Sequence, residues 1–147
     1  MFQLTLENER GKQIVLHPST QYVVTNIQGL TPPTATINSS VVALQDGEVY
    51  NSARVNTRNI VISVKPQPDV EKNRIALYDV AKTKHWCKLY FKSDTRNVYI
   101  EGYIESVDGS LFEMSQEIQI SILCHHPYFV AMETIITEMS KTLNLFE

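Results

Sequence analysis

Charge of one sign is what this chain most conspicuously lacks. Its 13 Lys and Arg against 16 Asp and Glu leave a net charge of −3, which offers no electrostatic footprint for nucleic acid or an anionic membrane. Long apolar runs are missing too, and stretches such as Val41-Val42-Ala43-Leu44 are far too short to span a bilayer. The opening Met1-Phe2-Gln3-Leu4-Thr5-Leu6-Glu7 alternates in polarity, without the basic start and apolar block of a signal peptide. The expectation is a protein made and kept in a cytoplasm. Cysteine is scarce, with Cys87 and Cys124 alone, and a reducing compartment predicts two buried thiols over a disulfide.

Metal and catalytic signatures are absent as well. Cys124-His125-His126, with His85 and Cys87, invites a zinc reading, but zinc needs converging ligands and adjacent strand residues project to opposite faces. No Cys-x-x-Cys or His-x3-His spacing supports it, which predicts core thiols and loop histidines. There is no Gly-x-Ser-x-Gly elbow, no Gly-rich phosphate loop and no His-Glu-x-x-His. The carboxylates occur singly, and Glu101 and Glu105 share a strand face with Tyr99 and Tyr103, as on an ordinary solvated or interfacial face. The expectation is a protein that is no enzyme and needs no cofactor.

What the chain does have is period-two alternation. At 147 residues and 43% apolar composition it suits one domain, 1–147, with a real core. Phe2, Leu4 and Leu6 alternate with Gln3, Thr5 and Glu7, and Ile60, Ile62 and Val64 with Val61, Ser63 and Lys65. Val98, Ile100, Gly102 and Ile104 oppose Tyr99, Glu101, Tyr103 and Glu105, and Ile118, Ile120, Ile122 and Cys124 form a further inward row. These are half-buried strands. Turn chemistry such as Asp46-Gly47 and Asp108-Gly109 separates them. About eight or nine strands are predicted, the number a β-barrel or two-sheet sandwich uses.

One helix interrupts the strands. Pro66 and Pro68 stop the preceding strand, Asp69 caps, and Glu71 suits the first turn. No Gly or Pro follows until about Lys84, so the spacing predicts a packed helix over 69–84 that buries Leu77, Val80 and Ala81, with Val70 and Ile75 nearby. Lys82 and Lys84 then fall where the dipole favours cations. A short C-terminal helix is predicted around 130–142 from Met132, Ile135, Ile136 and Met139, against its β-branched content. The final Leu143-Asn144-Leu145-Phe146-Glu147 has no polar tail, which suggests a domain or a truncated piece of a longer chain.

Three surfaces stand out. Along 86–92, Trp86, Lys88, Tyr90 and Lys92 share a strand face that resembles a stacking surface for single-stranded nucleic acid, although edge-protecting lysines on a half-buried strand look the same. Pro32 and Pro33, after Gly29, make a rigid loop without two amide donors, unfit for a central ladder. Tyr50, Arg54, Arg58 and Asn59 lie on neighbouring strand ends, where Tyr and Arg are common interface anchors. His126, Tyr128 and Phe129 sit on a turn constrained by Pro127, and the alternative for either group is that it simply closes the core.

Five segments in order then carry a family resemblance. They are Asn26-Ile27-Gln28-Gly29-Leu30-Thr31-Pro32-Pro33, Gly47-Glu48-Val49-Tyr50-Asn51-Ser52-Ala53-Arg54, Thr57-Arg58-Asn59-Ile60-Val61-Ile62, Asp69-Val70-Glu71-Lys72-Asn73-Arg74-Ile75-Ala76-Leu77-Tyr78, and Cys124-His125-His126-Pro127-Tyr128-Phe129. The series resembles the N-terminal domain of siphophage-type distal tail proteins. The resemblance implies a mainly β domain, a barrel or sandwich of split-barrel type with one packed helix. It implies a virion structural part, assembled in the host cytoplasm and located in the phage tail or baseplate. There it forms a ring with itself, usually hexameric, between the tail tube protein and the baseplate hub or tail-tip protein. Pro32, Pro33, Tyr50, Arg54, Arg58, Asn59, His126, Tyr128 and Phe129 are the expected contact residues. The family's acidic residue before Pro-Tyr-Phe is His126 here, and its C-terminal peripheral domain is absent from this sequence. The alternatives are a small β-barrel that binds single-stranded nucleic acid or another ligand through the Trp86–Lys92 face, and a small enzyme on the same scaffold.

Overall fold

The structure is a computed structural model that describes residues 2–17, 20–109 and 116–132. Its strands are β1 (Gln3–Asn8), β2 (Gln13–Leu16), β3 (Tyr22–Gln28), β4 (Ala35–Ser40), β5 (Val49–Val55), β6 (Arg58–Pro66), β7 (Trp86–Lys92), β8 (Asn97–Gly109), β9 (Ile118–Cys124) and β10 (Val130–Ala131). One helix, α1 (Val70–Val80), lies between β6 and β7. The main sheet runs β2-β1-β7-β8-β9-β6-β3, antiparallel at every pair, and β10 adds to β8. Among the described residues β4 and β5 pair only with each other.

The alternating rows of the sequence become one core. Leu4, Leu6, Ile60, Ile62, Val64, Leu89, Ile100, Ile104 and the Ile118, Ile120, Ile122 row all point inward and are buried. β8 is the spine. Over 97–103 it pairs with β7, and on its other side it pairs first with β10 and then, from Tyr103 onward, with β9. A register shift between Ile104 and Ser106 absorbs the extra residue of a bulge. Gly102 matters here, because a Cβ would come within 2.8 Å of the Leu123 carbonyl oxygen and 3.0 Å of Cys124 Sγ.

The mainly β class stands, but the barrel does not close, since β2 and β3 end the sheet without pairing to each other. Helix α1 packs on β1 and β2 from one end and on β6 from the other, and so covers the opening. Leu77 is fully buried there, with Val80 and Ala81 beside it. The Tyr22 hydroxyl donates to the Asn73 carbonyl at 2.9 Å, and the Asn73 side chain donates to the Gln67 carbonyl at 3.0 Å.

The helix starts as expected, with the Asp69 carboxylate accepting from the Lys72 amide. It ends earlier than 84. Ala81 is its C-cap, and Lys84, at φ 76°, turns the chain so that its amide donates to the Ile104 carbonyl. Joining β8 outweighs helix propensity over 81–84, so Lys82 and Lys84 lie beyond the last turn. Ile75 faces solvent, 57% exposed. The predicted C-terminal helix also needs correction at its start: Val130 and Ala131 form β10 against Tyr99 and Val98, because the β8 edge beyond β9 offers unpaired backbone groups. Residues 133–142 lie outside the described residues.

Candidate assembly interface

β4 and β5 form an arm in which every residue is exposed. The register gives this ribbon two unlike faces. Ala35 pairs with Val55, Ile37 with Ala53 and, past a bulge, Ser39 with Tyr50. Directly paired residues share a face, so Ile37, Ala53, Val55 and Tyr50 make one apolar side. Thr36 with Arg54, Asn38 with Ser52 and Ser40 with Val49 make the other, which is polar apart from Val49. That polar side is knit by its own hydrogen bonds, Asn38 to Ser52 at 3.1 Å and Thr36 to Asn56 at 2.9 Å. Among the described residues nothing covers the apolar side: Ile37 is 63% and Tyr50 65% exposed. A two-stranded ribbon in water is marginally stable by itself.

The root of the arm is built differently. Gly29 has φ 91° and lies so close to β6 that any Cβ would overlap the Asn59 carbonyl oxygen, which requires glycine. Arg58 is buried. Its Nη1 donates to the Gly29 and Thr31 carbonyls, each at 2.7 Å, and its Nε donates to the Pro127 carbonyl at 2.8 Å. The guanidinium also lies 4.9 Å from the centre of the Phe129 ring, a cation–π contact. One side chain therefore ties the loop that leads to the arm, the first residue of β6 and the turn after β9. At the arm's neck the Asn56 amide donates to the Thr34 carbonyl at 2.8 Å.

Of the residues singled out in the sequence, Pro32, Tyr50, Arg54, Asn59, His126 and Tyr128 are exposed, while Pro33 and Phe129 are half-buried. Arg58 is an internal clamp. The structure brings Arg58, Phe129 and the Gly29–Thr31 loop together, and places Tyr50 and Arg54 out on the arm. Asn59 accepts from Ser121 at 2.9 Å, and His126 packs edge-on to Tyr128. Ile37 was not singled out, and the pairing of β4 with β5 is what groups it with Ala53 and Tyr50.

Trp86, Lys88 and Tyr90 do share an outer face, and two of these side chains are engaged within the sheet. The Lys88 ammonium lies 4.5 Å from the Tyr99 ring centre and 3.8 Å from Glu101, and Tyr90 donates to Glu7 at 3.4 Å. Cys87 and Cys124 are both buried and free. Burial and the neighbouring Cys124 push the Cys87 thiol up to about 12. Burial pushes Cys124 to about 11, although nearby Arg58 opposes the shift. Such thiols stay protonated and unreactive. Among the described residues no three His, Cys, Asp or Glu side chains gather as metal ligands, and no helix is long and apolar enough to cross a membrane.

No protein-family profile matches the chain, and no curated protein matches it in sequence. Its fold, however, is that of phage baseplate components. The crystal structure of SPP1 Dit, described as a paradigm of hub adsorption apparatus in Gram-positive infecting phages, superposes with a TM-score of 0.66 at 12% identity over 88% of this chain and 52% of that one. The phage P2 baseplate in its activated conformation is similar with Ca, at TM-score 0.60, 12% identity, 83% of this chain and 43% of that one. The Sr form gives TM-score 0.60 at 14% identity, covering 83% and 44%. The chain thus spans about half the length of these structures.

Proposed function

We propose that this chain is a structural, non-enzymatic domain of a phage or prophage-derived tail, which assembles with copies of itself into a ring, six-fold by resemblance, between the tail tube and the baseplate hub. The observation that carries the reading is the arm. It is a two-faced ribbon whose apolar side is uncovered in the isolated subunit, rooted by a buried arginine in a Dit-like fold. Such a face is completed by a neighbouring subunit, and a repeated heterologous contact gives a ring when its rotation closes. Pro32, Tyr50, Arg54, Asn59, His126 and Tyr128 are the proposed exposed contacts, with Pro33 and Phe129 behind them and Arg58 holding their loops in place. The test is light scattering and negative-stain imaging of the purified protein at high concentration, alone and with the tube and hub proteins of the same phage. Rings that bind the tube are the expected result. Monomers under every condition, with no tube binding, would overturn the proposal.

A further inference from the structure

The tip of the arm carries features that its own subunit leaves unused. Leu44 is completely exposed and has a left-handed backbone, φ 67°, an uncommon conformation for a leucine. The turn holding it out is fixed by the Gln45 amide on the Val42 carbonyl at 3.3 Å and by Gly47 at φ 77°. Asp46 and Glu48 follow immediately, and no basic residue occurs between Ala35 and Ala53. The tip is therefore an apolar knob with two negative charges beside it.

Complementary features lie elsewhere on the same chain. A groove of about 410 Å³ runs between α1 and β2, with Val15, Ala76 and Tyr22 among its lining residues and Lys12 and Lys72 contributing charge. Val80 lines both this groove and an adjoining hollow that contains Arg10 and Lys82. At this corner one carboxylate, Asp79, faces Lys12 at 2.7 Å, Arg10 at 3.6 Å and Lys82 at 3.9 Å. Those cations hold the Asp79 carboxyl below its ordinary range, the Lys12 contact first among them. Three positive charges meet one negative, a local surplus in a protein whose net charge is −3. Glu9, which lines the hollow, is already paired with His85.

We propose that the arm tip of one copy docks in the α1–β2 groove of a neighbouring copy, with Leu44 on the apolar floor and Asp46 and Glu48 facing Lys12 and Lys72. The inference rests on the ring reading above and names the surface that accepts the arm. Every arm residue is exposed, so the arm is not seated on its own subunit. A strand of six residues reaches about 20 Å, enough to bridge to an adjacent subunit. Knob and groove are different patches of one chain, so their contact is head-to-tail and propagates around a ring.

The test is a cysteine pair, Leu44→Cys with Ala76→Cys, both at exposed positions, in a protein whose native thiols are buried. Mild oxidation of the assembled double variant should give a ladder of covalent oligomers, and each single variant should give none beyond dimer. In parallel, Glu48→Lys and Lys72→Glu should each weaken assembly by about tenfold or more through like-charge contact, and the combined variant should recover it. Rings without the ladder, or with cross-links to the tube protein instead, would overturn this contact and leave the ring standing. Absence of any ring would overturn both.

Discussion

β8 and β5 are both antiparallel strands with one apolar row, yet they end in opposite circumstances. The inward row of β8, Val98, Ile100 and Ile104, is no more than 8% exposed, because it lies against the other rows of the core. The corresponding row of β5, Tyr50, Ala53 and Val55, stays in solvent, with Tyr50 at 65% and Val55 at 40%. Alternation specifies that a strand has two faces but not what covers the apolar one. In the body the cover is the sheet's own curl and α1. On the arm no described residue supplies it, and the neighbouring copy proposed above is the cover to be tested. The contrast separates residues that stabilise the fold from residues that serve assembly, and substitutions can test it on each side.

The largest effect is expected where the body is covered. Leu77 fills the gap that α1 closes, and it is fully buried. Leu77→Ala should cost roughly 2–5 kcal/mol in denaturant melts, while Ile75→Ala, two residues along on the solvent side, should stay within about 0.5 kcal/mol. Equal and near-zero effects would show that α1 stands free of the core, and would remove the distinction between a covered body and an uncovered arm.

A smaller effect is expected at the junction of the two regions. Arg58→Met keeps bulk but strips donors from the Gly29, Thr31 and Pro127 carbonyls. Leaving such groups unsatisfied should cost about 1–3 kcal/mol. Hydrogen exchange should then quicken at the arm's neck, around Asn56, while amides of β8 and β9 keep their protection. Uniform loss of protection across the body would mean that Arg58 supports the core as a whole and not the root of the arm.

What was legible in the sequence follows the same division. The rows of β6, β8 and β9 could be read because period two and burial coincide there, and the start of α1 could be read because Asp69 follows Pro68 and precedes a run without breakers. The end of α1 could not. Nothing in Ala81-Lys82-Thr83-Lys84 breaks a helix, and the turn is imposed by backbone bonding of Lys84 to Ile104, 20 positions away. Arg58 read as a strand-end interface anchor or a closer of the core, and its part as a clamp was hidden for the same kind of reason. Two of its three carbonyl acceptors lie in a loop 27 and 29 positions earlier, and the third is 69 positions later, and no local pattern announces such a convergence. The apolar arm face was hidden because it is split between two strands and completed across a bulge.

The smallest effect on stability is expected on the arm itself, and there the comparison is sharpest. Ile37→Ser combined with Tyr50→Ser removes the centre of the apolar face without touching the core, since both side chains are well over half exposed. Melting of the isolated subunit should move by no more than about 0.5 kcal/mol per site. If the arm makes the proposed contact, assembly should nevertheless be lost in sedimentation at concentrations where the parent protein assembles, because both side chains stand in solvent in the subunit and would be buried in that contact. The matched control lies on the opposite face: Asn38→Ser with Ser52→Ala should leave assembly nearly intact, since that side satisfies its own hydrogen bonds. If the polar-face pair abolished assembly and the apolar-face pair did not, the ribbon would be docking through the wrong side for a hydrophobic contact. The arm would then have to be read as a hydrogen-bonding edge, and the groove beside α1 would lose its occupant.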